Sequence, residues 1–183
     1  RDFTGKVYSV QIAPDDIPGI EEMGIPNYSS LVEIPEPVDY AVIAVPRGAV
    51  PIVLKDAIAK GIKTVHIFTS GFSETGTEQG TEMEQQIRGM AEDAGMLIIG
   101  PNCMGPFNPT NGMRFSPAQE VDKSGSVAVI SQSGGHAASL ITGAQASGVG
   151  VSKGVSFGNG MILNSADLLE YFADDPETSI ICG

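Results

Sequence analysis

In "VAVISQSGGHAAS" (127–139) an apolar run leads into two serines, two glycines and a histidine. Three kinds of chemistry suit that order. Glycine amides beside hydroxyls, at the positive end of a helix dipole, make an anion cradle. A serine lifted on a sharp strand-to-helix turn makes a nucleophile, and Ser131-Gln132-Ser133-Gly134-Gly135 matches the G-x-S-x-G pattern with serine in place of its first glycine. The third possibility is a plain connection in which Ser133 only caps the helix. A nucleophile would need an acid and a histidine further along the chain. No histidine follows His136, which lies three residues from Ser133 in the first helical turn and is poorly placed as its base. The absence of GxxxxGK[ST] excludes an ATP P-loop.

Three more stretches end apolar runs in residues capable of chemistry. Pro46-Arg47-Gly48 follows "YAVIAVP", "SGFSETG" (70–76) follows "KTVHIFT", and Pro101-Asn102-Cys103 follows "MLIIG". Open α/β sheets bind ligands beyond the carboxyl ends of their strands, so these loops are candidate walls of one site. His66 alternates along an apolar strand and reads as structural, while His136 at a helix start reads as a packing or hydrogen-bonding residue. No activating base for Cys103 is visible. Cys103 and Cys182 have no framework spacing, which points to a reducing compartment, with no metal site.

The elements that must position these loops show in the hydrophobic pattern. Strands are expected at 6–12, 40–46, 63–69, 96–100, 126–131 and 178–182, nearly all apolar, as for strands covered on both faces. Val50, Val53, Leu54, Ala57 and Ile58 fit a helix stopped by Gly61, and Met83, Ile87, Met90 and Ala94 a second stopped by Gly95. Ala137, Leu140, Ile141 and Ala144 fit a third ended by Gly148. Asn164 with Asp167 reads as an N-cap for a fourth helix, burying Leu168, Leu169 and Phe172 and stopped by Pro176. The alternation predicts an α/β fold with parallel, doubly wound sheets. Residues 100–125 break the rhythm and read as a linker or active-site loop, with a boundary near 124.

With 42% hydrophobic and 17% charged residues, the 183-residue chain is globular. Its net charge of −12 argues against nucleic acid, which requires clustered Lys and Arg, but permits a small anion held by backbone amides. No run approaches a membrane span and no signal peptide is visible, so a cytoplasmic protein is expected. The chain opens on Arg1 and closes on "SIICG", and is read as a piece of a longer protein.

Six motifs in order, "VPRGAV", "FTSGFSETG", "IIGPNCMG", "GSVAVISQSGG", "VSFGNG" and "DLLEYFADDPET", resemble the α portion of nucleoside-diphosphate-forming acyl-CoA synthetases. Succinyl-CoA synthetase α subunits and ADP-forming acetate–CoA ligases belong to that family. The resemblance implies a Rossmann-like CoA-binding domain at 1–123, with its first strand and glycine loop before Arg1, and the start of a flavodoxin-like domain at 124–183. It implies conversion of an acid, CoA and ATP to acyl-CoA, ADP and phosphate, through acyl phosphate and a phosphohistidine expected beyond Gly183. By the same resemblance Pro46, Ser70, Gly71, Phe72 and Glu74 contact CoA, and Ser131, Ser133, Gly134 and Gly135 hold the phosphoryl group. Asn102, Ala138 and Asn159 line the same region, and no catalytic residue falls within the chain. Ala138 stands where succinate-using relatives carry tyrosine, which points to another acid. "QIAPDD" (11–16) is acidic where relatives place Pro and Lys near the CoA phosphates. ATP and Mg are expected on an ATP-grasp β subunit or fused domain, in an oligomer. The alternatives are a CoA-sensing regulatory module like that of some protein acetyltransferases, and a serine hydrolase using Ser133.

Overall fold

The computed structural model describes residues 3–183 and shows an α/β protein built on parallel strands. β3 (Tyr40–Ile43), β4 (Thr64–Ile67) and β5 (Leu97–Ile99) form one parallel sheet in that order. A second sheet has the order β6-β8-β7-β9, from β6 (Gly105–Phe107), β7 (Val127–Ser131), β8 (Val151–Ser156) and β9 (Ile180–Cys182). β7 runs parallel to both β8 and β9, whereas β6 is antiparallel to β8. The two-residue strands β1 (Ser9–Val10) and β2 (Asn27–Tyr28) pair beside α1 (Ile17–Glu22).

Helix limits follow local chemistry. α2 (Val50–Lys60) buries Val50, Leu54 and Ala57 and stops at Gly61, whose φ of +82° lets its N–H reach the Ala57 and Ile58 carbonyls. α3 (Glu78–Ala94) starts where Thr77 accepts from the Gly80 N–H and ends at Gly95. α4 (Gly134–Ala146) is capped by Ser133, and α5 (Ser165–Ala173) by the reciprocal Asn164–Asp167 box. Caps of this kind contribute about 1 kcal/mol each.

Ile43, Leu54, Val65, Ile67, Phe72, Ile87 and Ile98 form the core under α2 and α3. A second cluster spans both sheets, joining Ile99 of β5 to Ala128 and Ile130 of β7, Val155 of β8 and Phe172 of α5. No helix among the described residues is long and apolar enough to cross a membrane.

Four points differ from expectation, the first being that Leu169, read as buried, lies exposed on α5 beside the buried Leu168 and Phe172. The strand read at 6–12 is only Ser9–Val10, because β2 offers a two-residue partner and Lys6, Val7 and Ile12 stay exposed. The segment 100–125 contains a strand, β6, and Gln119 orders its remainder by accepting from the Phe115 and Ser116 N–H groups. β8 was hidden by its polar residues. Ser152 is fully buried and bonds Thr178 at 3.0 Å, and Lys153 is gripped by Asp175 and Glu177. Gly154 leaves room for Ile141, whose Cδ1 would stand 2.8 Å from an added Cβ.

Candidate functional site

Hydrogen bonds join the loops that follow β3, β4, β5, β7 and β8. Thr69 Oγ1 donates to the Val45 carbonyl at 2.7 Å, and the Asn102 N–H to the Thr69 carbonyl at 3.0 Å. The 157–160 loop then ties the sheets together. The Asn159 N–H donates to the Pro101 carbonyl at 3.0 Å and the Met161 N–H to that of Gly100 at 3.1 Å. Facing the other way, the Phe157 and Gly158 N–H groups donate to the Ser131 and Gln132 carbonyls at 3.0 and 3.1 Å. Gly158 allows this approach: its φ is +57°, and an added Cβ would lie 2.1 Å from the Pro101 carbonyl oxygen. Asn102 is itself left-handed, with φ of 60°.

The 70–74 loop folds around Glu74. The carboxylate accepts from the Gly71 and Phe72 N–H groups and, at 2.7 Å, from Asn159 Nδ2. Desolvation would raise its pKa, but the bonds from Asn159 and the backbone amides together outweigh it and hold the carboxyl below its ordinary value. Arg47 clamps the loop from the side, donating to the Gly71 carbonyl and, at 3.1 Å, to Gln79. Pro46 and Ser70 are exposed on its rim. Phe72 is fully buried against the core, so its ring anchors the loop, and its N–H and carbonyl are taken by Glu74 and Thr75. That alters the role expected for its side chain, since a buried ring has no surface left for a ligand.

At the 131–135 turn Ser133 caps α4, and the two glycine amides lie at the helix start. Ser133 accepts from the His136 N–H at 3.3 Å, and Gly134 and Gly135 open the helix, where first-turn N–H groups have no intrahelical acceptor. Gly135 faces open space, the nearest atom to an added Cβ being Ser133 Oγ at 3.9 Å. Gly134 does not: an added Cβ would meet Met104 Cγ at 2.3 Å. Its missing side chain makes room for Met104, not for a ligand approaching along the Cβ direction. Ala138 lies one turn along α4, half-buried.

The other reactive groups are accounted for structurally. The bond between positions 133 and 136 runs from the His136 backbone, so the ring is not engaged as a base for Ser133. His66 is buried, bonds the Cys103 carbonyl at 3.0 Å and is pushed to a lower pKa by that burial. Burial drives the Cys103 thiol up to about 12. Glu84 and Met104 were not singled out by sequence reasoning. Glu84 and Met104 lie in a helix and a loop with no distinguishing pattern, and Arg47 was visible only as part of a loop.

A family model described as a CoA binding domain matches residues 6–109, more than half of the chain. The chain belongs to that CoA-binding family. A second model, for the succinyl-CoA ligase like flavodoxin domain, matches residues 124–183 of this CoA-binding chain. The chain is 38% identical over 181 residues to an ADP-forming acetate–CoA ligase of Methanocaldococcus jannaschii, covering 99% of this chain and 25% of that protein. It is 41% identical to the α subunit of ADP-forming acetate–CoA ligase II of Pyrococcus furiosus over 97% of this chain and 37% of that one. The solved apo structure of dinucleotide forming acetyl-coenzyme A synthetase 1 of Candidatus Korarchaeum cryptofilum superposes with a TM-score of 0.84 at 37% identity, over 98% of this chain and 37% of that one. The CoA-binding chain thus spans about a quarter to two fifths of these relatives, one a separate α subunit and one a longer single chain. Neither the hydrolase nor the regulatory-module reading gains support from these likenesses.

Proposed function

We propose that this chain is the CoA-binding, phosphoryl-receiving portion of an acyl-CoA synthetase that converts a carboxylic acid, CoA and ATP to acyl-CoA, ADP and phosphate. The observation that carries the proposal is the tying of 70–74, 100–102 and 131–135 into one assembly through 157–160. The relatives named as ADP-forming acetate–CoA ligases support it.

CoA is the acceptor substrate, and it supplies the thiol that takes the acyl group. The rim fits such a ligand. Pro46 gives an apolar edge, Ser70 an exposed hydroxyl, Gly71 a backbone without a side chain, and Arg47 a guanidinium with N–H groups beyond the two it spends. Glu74 acts on the loop's own amides and shapes this rim. Ser131 and Ser133, with the Gly134 and Gly135 amides, receive the phosphoryl group, aided by about half a unit positive charge at the helix start. Amides suit this chain because a net charge of −12 otherwise repels an anion.

The division into a Rossmann-like unit at 1–123 and a flavodoxin-like unit at 124–183 belongs to the same reading. A cavity of about 780 Å³ lies beside β3, between Tyr40–Ile43 and Lys6–Tyr8. An ATP-grasp subunit or fused domain would bring ATP and Mg, in an oligomer, and the phosphohistidine is read as lying outside residues 1–183. The small Ala138 favours an acid other than succinate.

The full-length protein incubated with its ATP-grasp partner and γ-labelled ATP is expected to become an acid-labile phosphoprotein and to release the label as phosphate on addition of the carboxylic acid and CoA. No label with the partner present would overturn the synthetase reading. Labelling of Ser133 by a fluorophosphonate would restore the hydrolase.

A further inference from the structure

We propose that Asn159 is a positioning residue that fixes the 70–74 loop in its CoA-receiving shape from across the site. The proposal rests on the reading above that this loop receives CoA. Asn159 Nδ2 lies 2.7 Å from Glu74 Oε2, 2.8 Å from Glu84 Oε2 and 3.3 Å from Ser73 Oγ. One neutral amide therefore bridges two carboxylates that would otherwise face each other unscreened. Each carboxylate in turn orders the loop. Glu74 takes the Gly71 and Phe72 N–H groups, while Glu84 takes the Ser73 N–H at 3.2 Å and its hydroxyl at 2.7 Å.

The amide cannot drift with the loop it holds. Its own N–H is fixed to the Pro101 carbonyl, and the N–H groups of Phe157 and Gly158 just before it are fixed to Ser131 and Gln132. Gly158 is pressed against the 101–102 backbone. Asn159 thus refers the geometry of the 70–74 loop to the end of β7, the strand that carries the 131–135 turn. The only cation touching the loop among the described residues is Arg47, which bonds the Gly71 carbonyl and Gln79 and reaches neither carboxylate among the bonds described.

Replacing the donor by a third acceptor should spring the loop open. Asn159→Asp puts three carboxylates together, and hydrogen bonds to charged groups are the strong class, so a loss of about 10-fold or more is expected in apparent CoA affinity. The phosphorylation half-reaction uses the 131–135 turn, whose own hydrogen bonds survive the change.

The experiment measures KM for CoA and the rate of phosphorylation by labelled ATP in the full-length protein with its partner. Asn159→Asp should raise KM for CoA about 10-fold or more and leave phosphorylation within about twofold. Asn159→Ala is the second variant: it removes the donor without adding a charge, and the bonds from the Ser73 N–H and hydroxyl to Glu84 remain. It should raise KM for CoA by about threefold or more, less than Asn159→Asp, with phosphorylation again within about twofold. A KM within about twofold of wild type in Asn159→Asp overturns the proposal. So does a parallel loss of CoA affinity and phosphorylation in both variants, because a general packing defect would behave that way. A wild-type protein that becomes phosphorylated but shows no saturable use of CoA overturns the underlying reading of the loop, and the role of Asn159 with it.

Discussion

Substituting alanine for Gly158 tests how tightly the 157–160 loop lies against the 101–102 backbone. The new Cβ would sit 2.1 Å from the Pro101 carbonyl oxygen, 2.6 Å from that of Asn102 and 2.8 Å from the Asn102 carbonyl carbon, all backbone atoms. A comfortable contact needs about 3.2–3.4 Å, so the loops must part by about 1 Å. Parting them strains or breaks the bonds from Asn159 to Pro101 and from Gly158 to Gln132, at about 1 kcal/mol each. Holding alanine at φ +57° adds about 1–2 kcal/mol. The sum is about 3–4 kcal/mol, or a fall of about 6–16 °C in Tm for a chain of this size. Gly160→Ala is the control. Its φ of +64° carries the same backbone strain, but the nearest atom is a ring carbon of Phe157 at 3.2 Å, which can shift. Its cost should stay near about 1–2 kcal/mol. Paired urea and thermal unfolding read the difference. If Gly158→Ala is no worse than Gly160→Ala, the 157–160 loop does not press on 101–102 and the site lacks the bridge assigned to it.

Three other outcomes are expected. Gly135→Ala should fold normally and weaken retention of inorganic phosphate, whereas Gly134→Ala should lose about 1–3 kcal/mol of stability that Met104→Ala restores in the double variant, as urea titrations would show. Glu74 titrates below its ordinary value when folded because the Asn159 and backbone bonds outweigh desolvation, and Asp175 does so because Lys153 and then Thr178 bond it. Their stabilisation is whole above the ordinary carboxylate range and disappears as pH falls through the lowered values. Urea midpoints of wild type and Glu74→Gln should therefore converge below about pH 4, and parallel curves would refute this. The Tyr40 hydroxyl is buried without a partner among the described residues, and that burial raises its pKa, so Tyr40→Phe should be neutral or stabilising by about 1 kcal/mol in thermal unfolding.

Much of this arrangement can be read from residue order alone. The Asn164–Asp167 box and the glycine stops at 61 and 95 are local signals, since each satisfies helix-end groups within a few residues. The candidate loops were legible because each follows an apolar strand. What escaped depends on partners far along the chain. β8 looks polar until Thr178, Asp175 and Glu177 are seen to satisfy Ser152 and Lys153. Gly134 looked like a ligand-facing glycine, and only the position of Met104 shows which side chain occupies the space. Glu84, ten residues beyond Glu74, becomes part of the site only because α3 returns it beneath Ser73.

The short strand β6 also bears on how such a polypeptide can be divided. Gly105, Pro106 and Phe107 come before the point near 124 where the sequence suggests a cut, yet they border the second sheet by pairing with Ser156, Val155 and Gly154. Severing the chain there would leave β8 with a bare flank inviting self-association, and would strand a buried phenylalanine on the other fragment. A gene-shuffling event that respected only the linker would deliver two aggregating halves. A cut that keeps β6 with the sheet it borders has to fall before Gly105.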